Sequence, residues 1–200
     1  MRKIKQNTGL TLIELMVTLT VLGIMVAIGV PQYQGMMETN RMAGSINSLA
    51  SDLKLARTEA AKRSQVVTIC ASADGQNCSG NNNWETGWIV FSDQNRLGDF
   101  NPGIDFIVSS NSGLSNGLTL TGSGFPNLTF IQYAPAGQLR GAIPRGTFLL
   151  CRTGIADVNI RNTRARGINI NNTGRVSAAR DNSGNFIRED FNGDDFACPL

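Results

Sequence analysis

The chain has 200 residues, of which 41% are hydrophobic and 16% charged, with a formal net charge of +3 and no histidine. That length allows one domain of ordinary size plus an appendage. Without imidazole there is no Ser-His or Cys-His pair to activate a nucleophile, no histidine base and no zinc pattern that needs one, so the sequence reads as a non-enzyme with no metal site and no cofactor.

Residues 1–9 form a short basic leader carrying Arg2, Lys3 and Lys5; once they are set aside, the Lys+Arg and Asp+Glu counts are equal. The apolar run Leu10–Val30 follows. As a helix it spans about 30 Å at 1.5 Å per residue, the thickness of a hydrocarbon core. Positive charge on its N-terminal side predicts a cytoplasmic N-terminus and an exported C-terminal bulk. Ala27-Ile28-Gly29 has the small-x-small form of a signal-peptidase site, which would make residues 1–29 a discarded secretory signal. Against that stand the length of the run and Glu14, its one charged residue. A carboxylate at mid-bilayer costs on the order of 2.5–3.5 kcal/mol on insertion scales, so Glu14 either snorkels to the interface or meets a compensating charge.

Beyond Pro31 the helical period resumes. Met42, Ile46, Leu49, Leu53, Ala56 and Ala60 fall at alternating spacings of four and three, one apolar stripe on a helix reaching about Lys62. Gly29 and Pro31 are expected to kink this helix without ending it. The division that follows is residues 10–30 as a membrane or assembly half, 31–63 as an amphipathic half and 64–200 as a β-rich globular body. Strands are predicted at Val66–Cys70, Trp84–Phe91, Asp105–Ser109, Leu118–Thr121, Leu128–Tyr133, Gly146–Cys151, Gly167–Ile170 and Arg175–Ala179, separated by Gly/Asn/Ser turns. Such spacing gives an α+β chain, with a mainly antiparallel sheet covered on one face by the amphipathic helix. Trp84 and Trp88 read as core and turn packing.

The four cysteines fit an oxidising compartment and allow three disulfide connectivities, or four buried thiols. The pairing taken here is Cys70–Cys78, closing a short polar loop, and Cys151–Cys198, tying down the C-terminus. Loop-closure entropy assigns roughly 2.5 and 4 kcal/mol to loops of those sizes.

Gly9-Leu10-Thr11-Leu12-Ile13-Glu14, behind a basic leader and ahead of an apolar helix with Pro31, resembles the class III signal of type IV pilins and type II secretion pseudopilins. The resemblance implies that prepilin peptidase cuts between Gly9 and Leu10 and that Leu10 is then N-methylated, where the family's usual residue is Phe. It implies that Glu14 faces the N-terminal amine of a neighbouring subunit, a pairing that offsets burial in low dielectric. Leu55–Arg63, Thr68-Ile69-Cys70, Trp84–Asp93, Leu128-Thr129-Phe130 with Gly137, and Asn172–Val176 are similar to the GspH/FimT group of minor pilins and type II secretion pseudopilins. The implied fold is a long N-terminal helix on a β-rich domain. The implied partners are other pilins or pseudopilins through that helix, prepilin peptidase and an inner-membrane assembly platform.

Arg140, Arg145, Arg152, Arg161, Arg164, Arg166, Arg175 and Arg180 face a single acid, Asp157, between Gln138 and Arg180, and the last twenty residues reverse that sign. Solvated loops, or pairing with the acidic C-terminal stretch, is the ordinary explanation. Arg164, Arg166, Arg175 and Arg180 are the candidates for DNA binding if folding gathers them. Minor pilins of the FimT branch that take up DNA carry Gly-Arg-x-Arg; here Gly174-Arg175-Val176 begins that signature and Ser177 breaks it. Asp190-Phe191-Asn192-Gly193-Asp194-Asp195 has its glycine misplaced for a calcium loop and lacks the closing Glu. Three functions are therefore weighed: a minor pilin that enters or primes a pilus, the H-type minor pseudopilin of type II secretion, and a DNA-binding uptake pilin.

Overall fold

The computed structural model describes residues 11–115, 117–141 and 145–199, apart from the side chains at positions 31, 32 and 34. Residues up to Arg41 and residues from Met42 onward form two compact units, and helix α1, Leu12–Arg63, contributes to both. The predicted helix is thus one element, passing position 31 without ending there. Its start is set by Thr11, whose hydroxyl accepts from the Glu14 N–H at 3.3 Å and whose carbonyl accepts from the Leu15 N–H at 3.2 Å. Thr11-x-x-Glu14 is the spacing of a capping box, and one of the helix's orphan N–H groups is satisfied by it.

As far as Val30 the helix is apolar on all sides, with Leu12, Ile13, Leu19, Leu22, Met25 and Ile28 among the exposed residues. The few hydroxyls fold back onto the backbone: Thr18 donates to the Leu15 carbonyl and Thr20 to the Val17 carbonyl, each at 2.8 Å. Such bonds satisfy a polar group without water.

In the second unit all six residues of the predicted stripe, Met42 to Ala60, are buried. They meet the inner faces of two four-stranded antiparallel sheets in one core. The first sheet has the order β3 (Ile107–Ser112), β2 (Gly87–Ser92), β1 (Val67–Ala71), β5 (Phe130–Tyr133). The second has the order β4 (Leu118–Ser123), β6 (Gly146–Arg152), β7 (Arg166–Ile170), β8 (Val176–Ala178). Each predicted strand corresponds to one of these. The difference is the partition into two sheets, because β4 pairs with β6 across the intervening β5, a non-local pairing that strand spacing does not encode.

Three local differences have clear causes. The strand expected from Trp84 begins at Gly87, because Trp84–Thr86 form a 3₁₀ turn. Gly87 has φ +120°, and a Cβ there would lie 2.6 Å from the Asn111 carbonyl. Asp105 is not strand but loop: its carboxylate accepts from the Gln94 and Asn101 N–H groups, both at 2.9 Å. Finally, Val158–Arg164 is a short helix, α2, capped by Asp157, which accepts from the Asn159 and Ile160 N–H groups. Seven residues are too few for a helical period to declare itself, and Asp157 was legible only as a lone acid among arginines.

β1 and β2 are buried on both faces. Their inner residues join the helix stripe, while Cys70, Ile89 and Phe91 pack outward against Cys78, Phe100 and Phe130. Trp84 and Trp88 are fully buried, as expected. Trp84 stands edge-on to Phe148 at 4.9 Å and donates to the Leu128 carbonyl at 2.8 Å. Trp88 donates to Asp52 Oδ2 at 2.8 Å, and Asp52 Oδ1 accepts from the Ser109 hydroxyl at 3.0 Å. One helix carboxylate thereby ties α1 to β2 and β3.

Candidate functional site

Two features qualify as functional surface: the exposed apolar helix of the first unit and the arginine-rich side of the second. Along α1, Glu14 is the only charged residue before Glu38. The helix includes a stretch long and apolar enough to cross a membrane, none of it buried in the protein. Gly9 and Leu10, the expected processing residues, lie outside the described residues. Glu14 lies in the first helical turn, where a negative charge also complements the macrodipole.

The four candidate arginines do not gather in one place. β7 and β8 pair with Ile168 opposite Ala178 and Ile170 opposite Val176. That register sets Arg166 and Arg180 side by side at the open end of the hairpin. Arg175 lies at the closed end, in the turn where its N–H donates to Asn171 Oδ1 at 2.9 Å. At about 3.3 Å per residue the two ends are roughly 15 Å apart. Arg164 closes α2, next to Arg166, whose guanidinium donates to the Arg164 and Ala165 carbonyls at 3.2 and 3.1 Å. Arg188 joins this group by donating to the Ala165 carbonyl at 2.9 Å. Burial, and then the nearby Arg188 charge, pull the Arg166 guanidinium below its ordinary pKa. Arg188 belongs to the acidic last twenty residues of the sequence, and only the return of the chain past α2 places it here.

The acidic stretch does not neutralise these arginines. Among the described residues, ion pairs join Glu59 to Lys62 and Arg63, and none joins the C-terminal carboxylates to Arg164, Arg166, Arg175, Arg180 or Arg188. The acids are engaged in building their own loop. Asp181 accepts from the Gly184 N–H at 2.7 Å and the Phe186 N–H at 2.8 Å; Glu189 accepts from the Asn182 side chain at 2.7 Å and the Ser183 N–H at 2.8 Å. Burial opposes ionisation of Asp181, but hydrogen bonds from Gly184 and Phe186 outweigh it and hold its pKa below the ordinary value. The Asn182 side-chain bond does the same for Glu189 against a smaller effect of burial. Asp190 closes a turn by accepting from the Asn192 and Asp194 N–H groups. Among the described residues no group of three or more His, Cys, Asp or Glu side chains is arranged to hold a metal ion.

Both disulfides of the chosen pairing are present in the structure. Cys70–Cys78 pins the polar loop after β1 over the outer face of the first sheet. Cys151–Cys198 anchors the C-terminal segment beside β6, within a small second core of Ala165, Ala179 and Phe196.

Arg57 fastens α1 to the loops. Its Nε donates to the Gly137 carbonyl at 2.9 Å. Gly174 (φ +75°) packs against the same carbonyl, so that a Cβ there would lie 2.4 Å from the Gly137 oxygen and 2.7 Å from the Tyr133 ring. Tyr133 is fully buried, and its hydroxyl has no hydrogen-bond partner among the described residues.

Comparison with known proteins bears on both features. Residues 45–174 match the family described as type II transport protein GspH, and residues 4–30 match the prokaryotic N-terminal methylation motif. A curated relative, the pilin-like protein PilA1 of Thermus thermophilus, is 31% identical over 100 residues, which is 49% of this chain and 56% of the relative. The chain thus spans little more than half the length of that relative. Among solved structures, the type IV minor pilin FimU of Pseudomonas aeruginosa superposes with a TM-score of 0.53 at 19% identity, covering 72% of this chain and 92% of the other. The minor pseudopilin EpsH of Vibrio cholerae is more distant, with a TM-score of 0.44 at 15% identity, covering 69% of this chain and 95% of the other. With the family match spanning well over half of the chain and the methylation motif preceding it, this protein belongs to the GspH family of type IV pilin-like proteins.

Proposed function

We propose that this chain is a minor type IV pilin with a structural rather than catalytic role. Residues 1–9 are a leader that prepilin peptidase removes between Gly9 and Leu10, and Leu10 carries the methylated amine. The apolar half of α1 holds the precursor in the inner membrane, N-terminus cytoplasmic and β-rich body periplasmic, until an assembly platform moves it into a filament. There it enters or primes the pilus by docking among sister helices, with Pro31 supplying a bend and Glu14 setting register against a neighbour's amine. The observation that carries this reading is a single carboxylate in the first turn of α1, on a stretch that is otherwise uncharged and exposed as far as Val30, inside the methylation-motif match. Among the described residues nothing in the chain covers that apolar surface, and the Glu14 carboxylate has no partner.

Mass spectrometry of the membrane-extracted protein is expected to show a methylated Leu10 N-terminus; an intact Met1 or a start at Val30 refutes the reading. Glu14→Ala is expected to give a protein that is cleaved and inserted but absent from filaments. Normal incorporation of that variant would show that the amine pairing is dispensable.

The H-type pseudopilin of type II secretion remains the same part in a shorter filament, and loss of secretion against loss of pili in a deletion strain separates the two. A second reading, DNA uptake, is favoured by one observation: Arg164, Arg166, Arg180 and Arg188 share the open end of the β7–β8 hairpin with no carboxylate pairing them among the described residues. If they follow a phosphate backbone, retention on duplex DNA falls steeply with salt and with Arg164→Ala plus Arg180→Ala. Indifference to both removes it.

A further inference from the structure

A groove of about 490 Å³ opens beside α1, lined by Lys54, Arg57 and Ala61 of the helix and by Gly137, Gly174 and Arg175 of the facing loops. No Asp or Glu lines it. Lys54 and Arg175 are exposed and have no carboxylate partner among the described residues. The Arg57 guanidinium is aimed by its Nε bond to the Gly137 carbonyl. Three cations converging on one recess without a counter-charge repel one another, and an anion that enters relieves this. The cations surround a pocket and do not follow a line, the remaining walls include Ala61, Ala136 and Val176, and no aromatic ring is present for a base to stack on. Protein carboxylates fit this better than a nucleic-acid backbone does.

The chain carries such carboxylates elsewhere. Asp194 is exposed, and its carboxylate has no partner among the described residues; Asp195 accepts only from the Asn185 amide, at 2.6 Å. Their loop covers the outer face of the second sheet: the Phe191 N–H donates to Thr147 Oγ1 at 3.0 Å and the Asn169 amide to the Glu189 carbonyl at 3.4 Å. The groove lies on the helix side, the face to which Phe148, Leu150, Ile168 and Ile170 point. One chain therefore cannot fill its own groove, whereas two chains arranged head to tail can.

We propose that the Lys54–Arg57–Arg175 groove receives the Asp194–Asp195 loop of a second copy of this chain. The contact is heterologous, so a pair leaves one groove and one loop free for further copies, and the rotation between copies sets whether the series closes into a ring or opens into a helix. It does not depend on processing at Gly9 or on which filament the chain enters.

Full-length chain in detergent micelles, mixed from unlabelled and nitrogen-15-labelled material, is treated with a carbodiimide, which joins an amine to a touching carboxylate as an amide with loss of water to the reagent. Mixed-isotope peptides linking Lys54 to Asp194 or Asp195 are expected. Lys54→Glu with Arg175→Glu is expected to weaken self-association in sedimentation at least about tenfold, and adding Asp194→Lys with Asp195→Lys to restore it. Because all four residues are exposed, intact disulfides on a non-reducing gel suffice as the folding check. Lys54 coupling that is absent or confined to single chains overturns the proposal, as does self-association indifferent to charge reversal. Retention on duplex DNA that requires Lys54 and Arg175, without mixed-isotope coupling, assigns the groove to nucleic acid and equally overturns it.

Discussion

Replacing Gly174 by alanine separates two costs that are often merged. At φ +75° any L-residue is strained, and the left-handed region costs roughly 1–2 kcal/mol for a residue with a Cβ. At Gly174 the new methyl would also lie 2.4 Å from the Gly137 carbonyl oxygen and 2.7 Å from the buried Tyr133 ring. Neither neighbour is the free end of a flexible side chain: one is backbone held by Arg57, the other a ring enclosed in the core. Overpacking of that kind adds typically 1–3 kcal/mol, so Gly174→Ala is expected to cost about 3 kcal/mol in total. Gly154 is the control, with φ +78° and nothing within 4 Å of its added Cβ, so Gly154→Ala should cost only the conformational part, about 1 kcal/mol. Urea unfolding with disulfides intact, followed by the fluorescence of buried Trp84 and Trp88, measures both. Equal losses at the two glycines would refute the claim that Gly174 is demanded by close approach. In that case the glycine before Arg175 would be a matter of turn conformation alone.

Three further outcomes are expected. Asp52→Ala removes the acceptor shared by Trp88 and Ser109 and should cost about 1–3 kcal/mol in the same unfolding assay, while Asp52→Asn, which keeps one oxygen, should cost less. Tyr133→Phe deletes a buried hydroxyl that has no partner among the described residues, so stability should be unchanged or rise by up to about 1 kcal/mol; a clear loss would reveal a hydrogen bond to that oxygen. The third outcome concerns pH. Because the folded-state pKa of Glu189 lies below its ordinary 4.5, the stability it lends the 181–189 loop is complete above that value and is lost as pH falls through the lowered one. Amide exchange at Asn182 and Ser183, corrected for intrinsic rates, should be flat from pH 7 to 5 and accelerate only as pH falls below the ordinary 4.5, and acceleration already at pH 6 would contradict the assignment.

Much of the architecture was legible because it is written in period and punctuation. The stripe from Met42 to Ala60 repeats at helical spacing and is buried as read. The eight strands sit between turn residues and appear within a few positions of expectation. α2 was not legible, since its one signal, Asp157 as cap, looks like any surface acid until the Asn159 and Ile160 amides are seen to point at it. The arginine cluster was half legible. Composition shows the charge, but it also shows an acidic stretch with carboxylates enough to pair with much of it, and nothing in the order of residues says that Asp181 and Glu189 are occupied by their own loop's N–H groups.

Local chemistry, then, was determined by the sequence alone: an uncharged helix with one carboxylate near its start, an amphipathic continuation, a β-rich body and a cysteine content suited to export. These depend on residues within a few positions of each other, where spacing along the chain is spacing in space. Only the tertiary structure decided the partition of the strands into two sheets, the separation of Arg175 from Arg166 and Arg180, the recruitment of Arg188, and the basic groove beside α1. Each of those joins residues far apart in the chain through strand register and loop closure, which residue order constrains but does not display.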